Sequence, residues 1–452
     1  MRGLFAVGVA IAVAGCANSR PGMNLACESD QQCLDPAQPY CTNGTCGACG
    51  APSTCTMALP RCSPDTLTCG GCVGDIDCAL YATTPHCGHA GACVGCTVSA
   101  ECANPTPTCD QTTDTCRACK TDDECASAVC DLASGSCVDA ADILYASPTT
   151  TSSTSCTQSS PCEVDTAISQ VDFTRTIVRM LPGTYISPIT ISGTTTMTIV
   201  ATGATLETTM VATGLNVMAG ASVAIRGLTM NIDGQAIYCD GMTGESTLSL
   251  TDVNVVSAGY GIASAHCNLT LQHVSLPTGI NPAGSHTTLV MDRTNTYIRA
   301  DDGNASDGGG ISITATNSIL GSLDFSHAGG ISIHASFDTF TSAEVCMETN
   351  PGTPTVLFDN DIFYDPTAKD AISGTACTFD HAVAFPLPDL IGTATIAMDP
   401  RLVNPSAGDY HLQAGSPAID AASSAVSDDH DFDDVTRPQG AAPDIGAFEY
   451  KP

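Results

Sequence analysis

The sequence predicts a mainly β protein, a parallel β-solenoid preceded by a small disulfide-rich tandem-repeat region. Three observations predict it. First, pairs of apolar residues separated by one residue recur at Val223/Ile225, Leu248/Leu250, Leu269/Leu271, Leu289/Met291, Ile311/Ile313, Ile331/Ile333 and Val356/Phe358, at spacings of 25, 21, 20, 22, 20 and 25 residues. Each pair marks a short strand with one face inward, and one strand per fixed period is the mark of stacked rungs sharing a core. Second, twenty cysteines between Cys27 and Cys137 fall into five sets of four. Third, the chain opens with a segment for export, which makes disulfides the expected state of those cysteines.

The solenoid is preferred over a β-sandwich because a sandwich shows no coherent period. A leucine-rich repeat is set aside because its dense Leu/Asn consensus is missing. Less clean copies of the pattern stand at Ile177 and Met197. Asn231, Asn254, Asn295, Asn317 and Asn360 follow the strands and are expected at bends, where Asn tolerates left-handed backbone. The repeating stretch resembles the right-handed parallel β-helix family.

From the amino terminus, Arg2 precedes an apolar run from Leu4 to Val13 and then Val13-Ala-Gly-Cys16. This order resembles a bacterial lipobox, and the resemblance implies a signal peptide over 1–16 and lipid attachment at Cys16. Ala17 rather than Asp after the cysteine implies, in the Gram-negative scheme that the lipobox resembles, a lipid-anchored protein of the cell outer membrane. Display at the cell surface is the location expected. The lipid is the expected anchor, since no later apolar run is long enough to span a bilayer. Setting Cys16 aside leaves 26 cysteines, an even number.

Residues 17–140 are expected to hold five cysteine-rich repeats of about 23 residues, Cys27/33/41/46, Cys49/55/62/69, Cys72/78/87/93, Cys96/102/109/116 and Cys119/125/130/137. Such modules have almost no aliphatic core, so two bridges each must hold them. Three pairings per module remain open. Zinc on the Cys-x-x-Cys pairs would need a reducing compartment. The spacing resembles dickkopf-like cysteine-rich repeats of bacterial surface lipoproteins, which implies a stalk or an interaction module.

Residues 141–160 read as a linker. Over 161–395 the β-helix is expected, entered by a short helix near 161–168 that covers its open end and by Met180-Leu-Pro-Gly-Thr-Tyr185, an order that resembles the entry of bacterial β-helix proteins. Cys156/Cys162, Cys239/Cys267 and Cys346/Cys377 are candidate bridges. Residues 396–452 form a carboxy-terminal β-helix segment. Its pieces, Asp399-Pro-Arg-Leu402, Gly408-Asp-Tyr-His-Leu412, Gly415-Ser-Pro-Ala-Ile-Asp420, Asp431-Phe-Asp433, Arg437-Pro438 and Asp444-Ile-Gly-Ala-Phe-Glu-Tyr450, resemble surface proteins of the choice-of-anchor Q type.

The formal net charge is −33, with 47 acids, of which nine are Glu, against 14 Lys and Arg. That balance excludes nucleic acid as a partner, because phosphate binding needs a basic patch. It is compatible with calcium. The residue after each apolar pair gives an outward column, from which Arg226, Asp292, His334 and Asp359 are taken as a ligand-binding face. Asp429, Asp431 and Asp433 in the acidic run are candidate calcium ligands. Ala300-Asp-Asp-Gly303 resembles one polygalacturonase element, but the others are missing. Asp301, Asp302 and Asp307 read as an acidic loop, and Lys369, the one lysine in the solenoid part, is not assigned. No catalytic set is assembled in the sequence. The function expected is binding or adhesion by a surface-displayed β-helix, to carbohydrate or to a surface protein. A polysaccharide lyase or glycoside hydrolase is the alternative.

Overall fold

A computed structural model describes residues 27–149, 152–208, 213–242, 244–257, 259–284, 286–300, 310–324, 330–342, 355–367, 377–386, 392–426 and 428–451. Cys16, Asp301, Asp302, Asp307, Cys346 and Lys369 lie outside these residues. The chain divides into two compact units, Met1–Ala126 with Cys130–Cys137, and Ser127–Val129 with Val138–Pro452.

The first unit is built from five copies of one disulfide-bonded module. In every copy the first cysteine bonds the third and the second bonds the fourth, as in Cys72–Cys87 with Cys78–Cys93. The third and fourth cysteines face each other on a two-stranded antiparallel ladder, for example His86–Cys87 against Cys93–Val94. The residue five after the first cysteine turns its side chain back on the N–H that follows that cysteine: Asp77 on Val73 (2.9 Å), Glu101 on Thr97 (2.6 Å), Glu124 on Lys120 (2.7 Å). The residue three after the first cysteine accepts from the third cysteine's N–H in four copies, through Asp30, Asp75, Ser99 and Asp122. Short polar side chains at these two offsets satisfy the backbone where no helix or sheet is long enough to do so.

The second unit is a parallel β-helix. Sheet A has eleven strands, from Ile143–Ala146 and Ile177–Met180 through Ser246–Thr251 to Cys377–Asp380. Two further sheets, of four and ten strands, complete the turns. The stretch 141–160 is not a plain linker: Ile143–Ala146 is fully buried and is the first strand of sheet A. The apolar pairs of the sequence do point inward, with Leu248, Leu250, Leu269, Leu271, Leu289 and Met291 at most 1% exposed. Each such burial contributes on the order of 2 kcal/mol. At the amino-terminal end the helix Val164–Ser169 sets Val164 and Ala167 against this core beside the Cys156–Cys162 disulfide. Cys239 and Cys267 are bonded, and Cys377 is disulfide-bonded. Near the other end the interior is filled by Phe340, Phe358, Phe363 and Phe379, with neighbouring rings 4.9–5.5 Å apart.

After each sheet A strand from Ser222–Arg226 onward one residue adopts left-handed backbone and passes the chain round a corner: Gly227, Asp252, His273, Arg293, Asn317, Phe337, Asn360 and His381. The ladder runs unbroken through this corner, as in Asn317 N–H to Ser336 O (3.1 Å) and Phe337 N–H to Asp359 O (3.0 Å). Of the five asparagines expected here, Asn317 and Asn360 take the position. Asn231, Asn254 and Asn295 instead lie in the following strands. Their corners are turned by Gly227, Asp252 and Arg293, because a single left-handed residue held by tertiary bonds need not be Asn.

Among the described residues, 396–451 add no strands to the three stacked sheets apart from the isolated bridge of Val383 with Ile396. They form a small hairpin, Leu402–Asn404 with Asp409–Leu412. The rest lies as a strap over the corner, packing Leu402, Leu412, Ala418 and Ile445 on Phe337, Ile362 and Val383.

Candidate functional site

The outward face of sheet A is set by its register. One column runs Ser222, Thr247, Asn268, Thr288, Ser312, Ser332, Thr355, and the next runs Ala224, Ser249, Thr270, Val290, Thr314, His334, Leu357. Strands in a sheet stand about 4.8 Å apart and alternate residues about 7 Å, so these side chains form a near-planar lattice. Apart from His334 both columns are free of ionisable groups. Neighbouring members bond one another: Thr247 Oγ1 donates to Ser222 Oγ (2.7 Å) and Thr288 Oγ1 to Asn268 Oδ1 (2.7 Å).

The charged column is the third: Arg226, Thr251, Gln272, Asp292, Thr316, Ser336, Asp359, Asp380. Arg226, Asp292 and Asp359 belong to it, as the sequence predicts. His334 does not. It lies one pleat earlier, in register with Thr314 and Leu357. The strands Ile311–Thr316 and Ile331–Ser336 have three inward residues each, and the last, Ala315 and Ala335, are 1% exposed. Counting from the two isoleucines therefore reads two residues short.

The displacement still brings His334 and Asp359 together diagonally, with Nε2 and Oδ2 2.9 Å apart. Asp359 is buried and His334 exposed, so the carboxylate orients an imidazole whose other nitrogen is turned from it. Asp380 is the next residue in Asp359's column, and its Oδ1 is 2.9 Å from His381 Nδ1. Asp292 is three strand steps from Asp359, roughly 14 Å, and its Oδ2 accepts from Arg293 Nε (2.9 Å). Arg226 is half-buried at the far end of the column. The four predicted residues thus yield one touching pair, not a converged set.

The three candidate calcium ligands have separate partners. Asp429 Oδ1 lies 2.7 Å from His430 Nδ1, and Asp433 Oδ2 lies 2.8 Å from His411 Nε2. Asp431, 1% exposed, accepts from the N–H groups of Asp433 (2.9 Å), Val435 (2.8 Å) and Glu449 (2.8 Å). Its position explains the acidic run as the strap's own scaffold. Beside it a cavity of about 180 Å³ is lined by His411, Asp431, Asp433 and Glu449. Among the described residues these side chains are not one of the groups of three whose donor atoms all lie within 4.8 Å of one another.

Two buried constellations escaped the sequence reading. The residue after each left-handed corner points inward, and along the stack Leu228, Val253 and Val274 give way to Thr294, Ser318, Asp338 and Asp361, all 0% exposed from Thr294 on. Asp338 accepts from Ser318 N–H (2.6 Å) and Ser336 N–H (3.2 Å), and Asp361 Oδ1 from Asp338 N–H (2.7 Å). Burial pushes both carboxyls well above the usual carboxylate range. Among the described residues Asp361 Oδ2 has no hydrogen-bond partner. The signal was present in the sequence as a polar run at a fixed offset from the strands.

The second is Arg437, whose guanidinium donates to Asp444 O (3.0 Å), Gly446 O (2.8 Å), His430 O (3.3 Å) and Asn317 Oδ1 (3.1 Å). Glu449 Oε1 lies 3.7 Å away. Burial, reinforced by Asp444, raises the Glu449 carboxyl to about 7.

No protein-family model matches the chain, and no curated protein matches it. Among solved structures it is similar to one described as the crystal structure of pectate lyase Pel9A, at 14% identity and a TM-score of 0.41, over 68% of this chain and 96% of that one.

Proposed function

We propose that the chain is a lipid-anchored protein of the outer cell surface whose β-helix binds neutral glycans along the outward face of sheet A. The observation that carries this reading is the pair of outward columns over seven consecutive strands, hydroxyl and amide side chains interrupted by Ala224, Val290 and Leu357 and uncharged but for His334. Such a face offers both donors and acceptors to sugar hydroxyls, and its regular spacing suits a polymer. The chain's net charge of −33 disfavours anionic polysaccharide as the ligand. The lipobox-like order ending at Cys16 supports the anchor and the outer-membrane location.

A second reading, a polysaccharide-degrading enzyme, is favoured by the His334–Asp359 pair at one end of the same face. It is the weaker one. Glycoside hydrolysis asks for two carboxyls about 5–9 Å apart. Asp359 and Asp380, one strand step and about 5 Å apart, come near that spacing, but Asp359 is buried and each is held by a histidine, His334 and His381. Asp292 stands about 14 Å from Asp359 and is engaged by Arg293. Incubating the purified chain with a panel of neutral and acidic polysaccharides, with and without calcium, tests both. Retention on neutral polymers without new products supports binding, while new reducing ends or unsaturated products overturn it in favour of the enzyme.

A further inference from the structure

We infer that the cysteine-rich unit holds a zinc-type divalent cation between its third and fourth modules, on His86 Nδ1, Asp75 Oδ2 and Glu101 Oε1, with the fourth position open to water. Among the described residues this is the one group of His, Asp and Glu whose three donor atoms all lie within 4.8 Å of one another. Nδ1 is 3.2 Å from the Asp75 oxygen and 3.5 Å from the Glu101 oxygen. Donors about 2.1 Å from a tetrahedral zinc ion stand about 3.4 Å apart, so both distances from Nδ1 already match a coordination shell, and the two carboxylate oxygens lie within 4.8 Å of each other.

The carboxylates are fixed from behind. Asp75 uses its other oxygen to accept from Cys87 N–H (2.8 Å), and Glu101 accepts from Thr97 N–H (2.6 Å). Outer hydrogen bonds of this kind orient metal ligands and hold them ionised.

A second observation comes from the next junction in the same unit. There Glu124 occupies the place of Glu101, directly before the second cysteine, and Thr108 the place of His86, directly before the third. That acid is neutralised by Arg117, which follows the fourth cysteine and reaches Glu124 Oε1 at 2.7 Å. The residue at Arg117's position in the third module is Val94. One junction therefore fills the slot with a guanidinium, while its neighbour presents two carboxylates and an imidazole with no Arg or Lys paired to them among the described residues. A metal ion supplies the missing cation.

The test is titration of the purified, disulfide-intact full chain, stripped with chelator, with cobalt(II) and then zinc. We expect one equivalent of cobalt with the visible absorption of a four-coordinate centre, bleached by zinc, and lost in His86→Ala. Val94→Arg leaves all three ligands in place but should weaken zinc binding at least tenfold by putting a guanidinium in the slot, a loss of the size seen when a site's surroundings are altered. Absence of stoichiometric uptake, equal uptake by His86→Ala, or unchanged affinity in Val94→Arg would overturn the inference and leave His86 as a bridge between two carboxylates.

Discussion

The guanidinium of Arg437 lies over the ring of Phe337, 4.6 Å from its centroid. Phe337 turns the corner after a sheet A strand, and Arg437 belongs to the strap 100 residues further on. The contact therefore fastens the strap to the solenoid at the corner where sheet A ends. Arg437 gathers carbonyls of the strap and Asn317 of the solenoid into one planar fork, a role Lys cannot fill.

Arg437→Met should release the strap. Removing one partner of a buried ionic network costs about 3–5 kcal/mol, because Asp444 and Glu449 remain buried. Limited proteolysis should then cut within 396–451 before the solenoid, and Arg437→Lys should recover only part of the loss.

The strap should also loosen as the medium becomes alkaline. Glu449 is raised to about 7 in the folded chain from 4.5. Its contribution is thus complete below pH 4.5 and is lost as pH rises through about 7. For His411 burial lowers the pKa, but bonds to Asp409 and Asp433 outweigh it and the net shift is upward, with the same sign. Protease resistance of the strap should fall as pH rises from about 4.5 through about 7, and Glu449→Gln should flatten that dependence.

The buried ladder predicts an asymmetry between two neighbouring aspartates. Asp338→Ala strips the acceptor from two buried N–H groups, at about 1–3 kcal/mol each, and should destabilise the fold strongly in urea. Asp361→Asn keeps the acceptor for Asp338 N–H and removes a carboxyl whose ionised form burial disfavours, so it should cost little, and least at high pH.

Replacing Cys239 and Cys267 together by Ala should cost about 3.5 kcal/mol for a closed loop spanning 28 residues. Thermal unfolding of the double variant under oxidising conditions checks this.

The solenoid was legible because its period is written in residues such as Leu248 and Leu269 that never leave the interior. The module boundaries were legible for the same reason in cysteine spacing. What failed depended on partners far along the chain. Ala315 and Ala335 fill inward positions but carry too little apolar area to stand out, and this moved His334 into the wrong column. The strap was read as more β-helix because its contacts, such as Arg437 with Asn317, close over 120 residues. Local pattern does not encode such contacts. Asp431 shows a contact of the same kind: its oxygens accept from the N–H groups of Asp433, Val435 and, 18 residues on, Glu449.

The claim that the outward lattice of sheet A binds neutral glycan is tested most directly by affinity electrophoresis of the purified chain in gels containing neutral polysaccharide, beside Thr270→Glu and Thr314→Glu. Both threonines sit in the middle of the lattice and point away from the core. The account predicts retardation of the wild-type chain and its loss in both variants, with melting temperatures unchanged. Retardation that survives both substitutions would contradict it, as would a wild-type chain that no neutral polysaccharide retards.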